Sequence, residues 1–139
     1  IPKIILNSLF HKKIPIYSDG KQIRDWIYVD DHNNALIRIM NSGKLGNTYN
    51  IGSNNEISNI KLAKLLCSKL DKYLPIKSNK INSYNQLIEH VKDRPWHDQK
   101  YAISANKIKK SLNWAPKITF DKGLDITINW YISNYYEKK

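Results

Sequence analysis

Apolar side chains at positions 5, 6, 9 and 10 of "PKIILNSLFHKK" fall on one side of a helix, which predicts a helix over residues 2–13 with Pro2 near its start. The apolar run "IPIY", residues 14–17, is followed by "SDGK" and then "QIRDWIYV". This pattern predicts two strands joined by a tight turn in which Gly20 takes the unusual backbone angle. "VDDHNNALIRIMNSG" predicts a second helix, with Asp30 and Asp31 capping its start, Leu36, Ile39 and Met40 on its inner face, and Gly43 as its stop. "NTYNIGS" reads as a short strand. Ser58 is placed to cap a helix that begins at Asn59 and buries Ile60, Leu62, Ala63, Leu66, Cys67 and Leu70. "LPIKSNKINSYN" is loop or weak strand, "QLIEHV" a strand, and "YAIS" extended chain beyond a loop. Ser104 caps "ANKIKKSLNW", which Pro116 closes, and Thr119 caps a last helix with Leu124, Ile128, Tyr131 and Ile132 as its buried stripe. The fold class expected is mixed α/β, with short strands and about five helices and without the repeated strand–helix–strand rhythm of a complete dinucleotide-binding domain.

Length and composition narrow this picture. At 139 residues the chain is expected to form one domain over residues 1–139, and with 41% apolar and 25% charged residues it has enough to bury a core. Cys67 sits on an apolar helix face and reads as a buried structural thiol; a lone cysteine forms no intrachain disulfide, which suits a reducing compartment. No apolar run approaches the roughly 20 residues of a membrane span, and no leader pattern opens the chain, so a cytosolic, membrane-free protein is expected. The first residue is Ile1, and a helix is already under way there, so sequence is expected upstream. The formal charge of +11 raises the question of nucleic acid. The excess comes from scattered lysines, with only three arginines (Arg24, Arg38 and Arg94) and no long basic run, so no nucleic-acid partner is expected.

Candidate chemistry is sparse. The five glycines include no phosphate-cradling Gly-x-Gly-x-x-Gly. Tyr17/Lys21, Tyr73/Lys77 and Tyr135/Lys139 match Tyr-x-x-x-Lys, but that spacing pairs the two groups only on a helix. "YSDGK" contains Asp-Gly, "YLPIK" contains a proline, and "YYEKK" is the terminus. None of His11, His32, His90 or His97 has metal-ligand spacing to another ligand type, so no metal is expected. Asp30 and Asp31 are helix caps before they are an acid/base couple. Two arginines remain in loaded settings: Arg24 in "QIRDWIYVDDH" and Arg94 in "KDRPWHDQKY". Each offers a planar fork that can grip phosphate or carboxylate, or pair internally with Asp25 and Asp93.

"PIYSDGKQIRDWIYVDDHNNAL", "GNTYNIGSNNEISN", "DRPWHDQKYAIS" and "LNWAPKITFDKGLDITINWYISN", in this order and spacing, resemble the C-terminal part of the dTDP-glucose 4,6-dehydratase family over residues 1–134. Sister nucleotide-sugar enzymes share only looser elements, and a UDP-sugar decarboxylase or epimerase lobe is the alternative, with a non-catalytic remnant or interaction module as another. The resemblance implies the small substrate-binding lobe of an extended short-chain dehydrogenase/reductase, without its Rossmann domain. NAD and the catalytic residues would lie in an N-terminal half, in cis or in trans, and the chain alone would bind no cofactor and be inactive. The whole enzyme would oxidise dTDP-glucose at C4, eliminate water across C5 and C6, and return hydride to C6, giving dTDP-4-dehydro-6-deoxyglucose for surface-sugar synthesis. By motif position, Pro15, Ile16 and Tyr17 would line the thymine pocket, and Arg24 would hold the diphosphate. Asn59 would touch the dTDP-sugar at a helix start, and Asp93, Arg94, Pro95, Trp96 and His97 would close over the nucleotide. The family has glycine where this chain has Trp96. An indole there would crowd the pocket, or turn outward without effect, and would be strained if the position needs a positive φ.

Overall fold

The computed structural model describes residues 1–77, 79–93 and 95–136. The chain packs as two compact units, the first made of Ile1–Gln22, Ser58–Gln99 and Leu124–Lys139, the second of Ile23–Ile57 and Lys100–Gly123.

In the first unit, helix α1 (Pro2–Leu9) starts on its proline, whose missing N–H costs nothing at that position. It ends four residues earlier than the apolar pattern predicts, because Phe10 leaves helical geometry and His11 turns to φ 51. Strand β1 (Ile14–Tyr17) follows, and Ile14 and Ile16 point into the core while Tyr17 faces out. Its partner is β4 (Ile88–Val91), parallel, with Ile16 opposite His90 and Tyr17 opposite Val91. Helix α3 (Asn59–Tyr73) lays Leu62, Ala63, Leu66, Cys67 and Leu70 into the same core, the inner face its periodicity predicts. Ser58 stands at its N-cap position, though its side chain makes no capping bond. A 3₁₀ turn at Tyr84–Leu87 leads into β4, and Tyr84, wholly buried, donates its hydroxyl to the Leu74 carbonyl at 3.0 Å. Leu124, Ile128 and Ile132 of helix α5 (Phe120–Tyr135) are buried at the stripe expected for them.

The hairpin expected of β1 and the next strand does not form. The turn after Tyr17 does close, with the Gly20 N–H donating to the Tyr17 carbonyl at 3.0 Å and Gly20 at φ 71. The chain then diverges: β2 (Ile23–Asp25) lies in a different sheet, of order β3-β2-β5, with β3 at Glu56–Ser58 and β5 at Lys100–Tyr101. Gly20 also has to be small. Its carbonyl accepts from the Ile60 N–H at 2.9 Å, and a Cβ there would stand 2.6 Å from Ile16 Cγ2 and 2.8 Å from Ile60 Cβ. The turn is thus shaped to dock the start of α3 rather than to return a strand alongside β1.

The second unit is built around Ala35, Ile108, Leu112 and Trp114, with Ile27, Ile39, Tyr49, Ile51 and Ala105 packed on them. Helix α2 (Val29–Ser42) has the bounds its pattern predicts but a different inner face. Asp31 and Ala35 are buried while Leu36 and Met40 are exposed. The cause is Asp31, expected to cap the helix, which accepts from the backbone N–H of Lys117 at 3.0 Å and of Ile118 at 2.8 Å. With Asp31 drawn inward, Ala35 and Ile39 follow at helical spacing, and residues one position further round turn out. The strand expected at "NTYNIGS" is irregular chain, and pairing begins only at Glu56. Asp25 organises this stretch: its carboxylate accepts from the N–H groups of Ser53, Asn54 and Asn55 and from the Ser53 hydroxyl, a loop arrangement that competes with a ladder. Helix α4 (Asn106–Leu112) stops on Asn113, in the left-handed conformation at φ 49, ahead of Pro116.

Candidate functional site

The end of β1, the start of α3 and the loop after β4 come together within the first unit, and Gln22, which opens the "QIRDW" segment but is not among the expected site residues, joins them. Gln22 is 1% exposed. Its carbonyl accepts from the N–H of Asn59, the first residue of α3, at 3.0 Å, and its side-chain Nε2 donates to Asp93 Oδ2 at 3.1 Å. Its Oε1 has no hydrogen-bond partner among the described residues. One glutamine therefore fixes the helix start relative to the loop. The signal available in the sequence is the uncharged polar residue directly after the turn in "SDGKQIRDW".

The second oxygen of Asp93 takes His97 Nδ1 at 2.7 Å. A carboxylate only accepts, so Nδ1 carries the proton, and Nε2 is left to accept from a neighbour, or to donate when the ring is cationic. The His97 side chain is 5% exposed, so the ring is held rather than waving in solvent. Tyr17 stands edge-on to it, ring centroids 6.0 Å apart at 86°. The anchor below is the parallel ladder, extended by the Ser18 N–H donating to the Val91 carbonyl at 2.9 Å. The site thus sets an oriented, largely enclosed imidazole beside a half-exposed phenol ring, whose open face can stack on a flat ligand.

Of the residues expected here, Tyr17, Asn59, Asp93 and His97 are brought together, Asn59 through its backbone. Pro15 shares the strand face of Tyr17, whereas Ile16 is buried with Ile14 on the other. Pro95 and Trp96 form the exposed turn of the loop. Trp96 faces outward, 99% exposed, at φ 58. The left-handed angle costs a residue with a Cβ about 1–2 kcal/mol. Arg94 lies outside the described residues, as does Lys139 of the Tyr135 pair. Arg24 belongs to the second unit, where its guanidinium lies 5.2 Å from the centre of the Tyr101 ring and donates to the Ile23 carbonyl at 2.7 Å. The neighbouring Asp25 carboxylate is taken up by residues 53–55.

Away from this site, Cys67 is wholly buried, and burial, with the nearby Asp71 charge, pushes its thiol up to about 12, the state of an inert core group. Tyr17 and Tyr73, the other Tyr-x-x-x-Lys tyrosines, end a strand and a helix, so neither shares a helix face with its lysine. His32 is in the first turn of α2, and His90, on β4, bonds the Ser18 carbonyl at 2.7 Å. No helix among the described residues is long and apolar enough to cross a membrane.

Known proteins carry this arrangement of segments. The family model for GDP-mannose 4,6 dehydratase matches residues 1–127. A dTDP-glucose 4,6-dehydratase of Escherichia coli is 48% identical over 134 residues, which is 96% of this chain and 37% of the relative. Among solved structures, the dTDP-glucose 4,6-dehydratase of Streptomyces venezuelae, with NAD bound, superposes with a TM-score of 0.84 at 30% identity, over 96% of this chain and 38% of that one. The Bacillus anthracis enzyme, in complex with NAD, gives 0.79 at 37% identity, over 99% of this chain and 40% of that one. The chain spans well under half the length of the relatives it matches. It belongs to the GDP-mannose 4,6 dehydratase family, and the relatives it resembles there are dTDP-glucose 4,6-dehydratases.

Proposed function

We propose that this chain is the substrate-binding part of a dTDP-glucose 4,6-dehydratase, which grips the nucleotide of dTDP-glucose while residues outside these 139 perform the chemistry. The observation that carries the reading is His97, oriented by Asp93 and set edge-on to Tyr17, in a segment nearly half identical to such enzymes. In this reading Tyr17 and Pro15 offer the base a flat wall, with Ile16 supporting it from the core. His97 Nε2 meets a ligand oxygen, and Asn59 and Asp93 are held in place by Gln22. Arg94 neutralises the diphosphate, whose charge suits a guanidinium fork. Pro95 and Trp96 form the turn that lies over the nucleotide.

NAD, the hydride carrier in such a reaction, does not fit these residues. None of Gly20, Gly43, Gly46, Gly52 or Gly123 lies in a strand-to-helix turn of the Gly-x-Gly-x-x-Gly kind, so a pyrophosphate cradle has no backbone here. NAD and the catalytic groups are assigned to an N-terminal half, joined in cis or supplied in trans.

Calorimetric titration of the chain with dTDP, and with UDP as control, tests the reading. Saturable binding that prefers dTDP and weakens at least about tenfold in His97→Ala and Arg94→Ala supports it. Preference for UDP replaces it with a sister epimerase or decarboxylase, and turnover of dTDP-glucose with NAD by this chain alone overturns the division of labour.

A further inference from the structure

Arg38 takes no part in the site around His97. It stands on α2 with Asp31 and Asn34 at helical spacing, three side chains on one face. Residues 113–117 pass over that face: Asn113 ends α4 in the left-handed conformation at φ 49, and the Asp31 carboxylate accepts from the Lys117 backbone N–H at 3.0 Å. A cavity of about 340 Å³ lies there, wholly within the second unit, lined by Asp31, Asn34, Arg38, Asn113, Trp114 and Lys117. Asp31 and Trp114 are buried, and the other four are exposed.

The charge of this cavity is uneven. Arg38 donates through Nε to the Leu112 carbonyl at 2.9 Å, which fixes the guanidinium against the end of α4 and uses one of its donors. Among the described residues, neither Arg38 nor the Lys117 ammonium has an acidic partner. Asp31, the one acid in the wall, has both oxygens engaged by the backbone N–H groups of Lys117 and Ile118. Two unpaired cations beside two asparagine amides match an anion with many acceptors. A phosphoryl group brings up to two charges and three oxygens, where a carboxylate brings one charge and two oxygens. The volume is at the small end of ligand cavities, so the molecule that carries the group is small.

We infer that Arg38 and Lys117 form a binding site for the phosphoryl group of a small molecule, with Asn34 and Asn113 as amide donors. The inference does not rest on the nucleotide-binding reading, whose residues belong to the first unit.

The test is a titration of the isotope-labelled chain with inorganic phosphate, followed by heteronuclear NMR and calorimetry at fixed ionic strength. Saturable shifts of the Asn34 and Asn113 side-chain amides and of the Trp114 indole N–H are expected, with acetate at least about tenfold weaker. Lys117→Ala keeps the backbone N–H that Asp31 holds, so it is expected to fold as the wild type does and to lose phosphate affinity about tenfold. Arg38→Lys retains the charge without the fork and should lose about as much. Phosphate binding within about twofold of wild type in the folded Lys117→Ala variant overturns the inference, as does acetate binding as tightly as phosphate. Shifts confined to the surroundings of Tyr17 and His97 overturn it too, because they place the anion in the first unit. A folded chain that binds dTDP but shows no saturable response to phosphate overturns this inference and leaves the nucleotide reading standing.

Discussion

The two units are held by different physics. In the first, a continuous apolar interior of α1, β1, α3, the Tyr84–Leu87 turn and α5 buries most of the chain's wholly enclosed aliphatic side chains. In the second, the apolar cluster is small, and two carboxylates do much of the organising: Asp31 gathers the backbone at 117–118, and Asp25 gathers it at 53–55. Burial of hydrocarbon is additive and tolerant of rearrangement, whereas a buried carboxylate must keep every donor it has. One unit should therefore lose stability in proportion to volume removed, the other in proportion to hydrogen bonds lost.

The largest effect expected is for Leu66→Ala. The side chain is fully enclosed on α3, and its removal should cost about 3–5 kcal/mol in urea unfolding. Asp31→Ala should cost about 2–3 kcal/mol, because it removes a buried carboxylate that accepts charge-assisted hydrogen bonds from the backbone N–H groups of Lys117 and Ile118, and Trp114 fluorescence reports on the same unit. A loss below about 0.5 kcal/mol, the range of an ordinary surface change, would break the contrast between the units.

A pH series sharpens it further. Burial pushes the Cys67 thiol from 9.0 up to about 12 and the Tyr84 hydroxyl from 10.0 up to about 12. Both groups sit in the first unit. The unfolded chain gives up these protons at lower pH than the folded one, so stability is expected to fall as pH rises from 9 toward 12. Urea midpoints between about pH 8 and 11 should show that decline, and Cys67→Ala should make it shallower. The smallest effect belongs to Lys69 and Asp125, 2.6 Å apart in a partly exposed pair of the first unit. Its hydrogen bond from Lys69 holds the Asp125 carboxyl below its ordinary value, so the contribution is present above about pH 3.8 and is lost as pH falls through the folded value. Asp125→Asn at neutral pH should cost under about 1 kcal/mol, and less in high salt.

Much of this architecture is legible in the chain. The periodicity of α3 predicts its buried face apart from Ile60, which is only partly buried, and Thr119 ahead of α5 accepts from the Lys122 N–H at 3.4 Å, as a helix cap does. Local signals of this kind depend on side chains a turn apart, and the sequence states them directly. Part of the candidate site is legible too, since Tyr17, Asp93 and His97 stand out by motif position and do meet. Gln22 lies in the "QIRDW" segment, but its role does not show there, because it comes from partners 37 and 71 positions away, a separation that no local pattern records.

By itself, then, the sequence determined the helices, their bounds to within a few residues, the mixed α/β class and the family. The helices and the class follow from the spacing of residues along the chain, and the family from the resemblance its motifs carry. Tertiary structure decided which strands pair, since β1 seeks β4 rather than its neighbour in sequence, and which side of α2 turns inward. Strand pairing and helix rotation are settled by distant groups competing for hydrogen bonds. Gly20 reaching the start of α3, and Asp31 reaching the backbone at 117–118, outweigh preferences worth only fractions of a kcal/mol per residue.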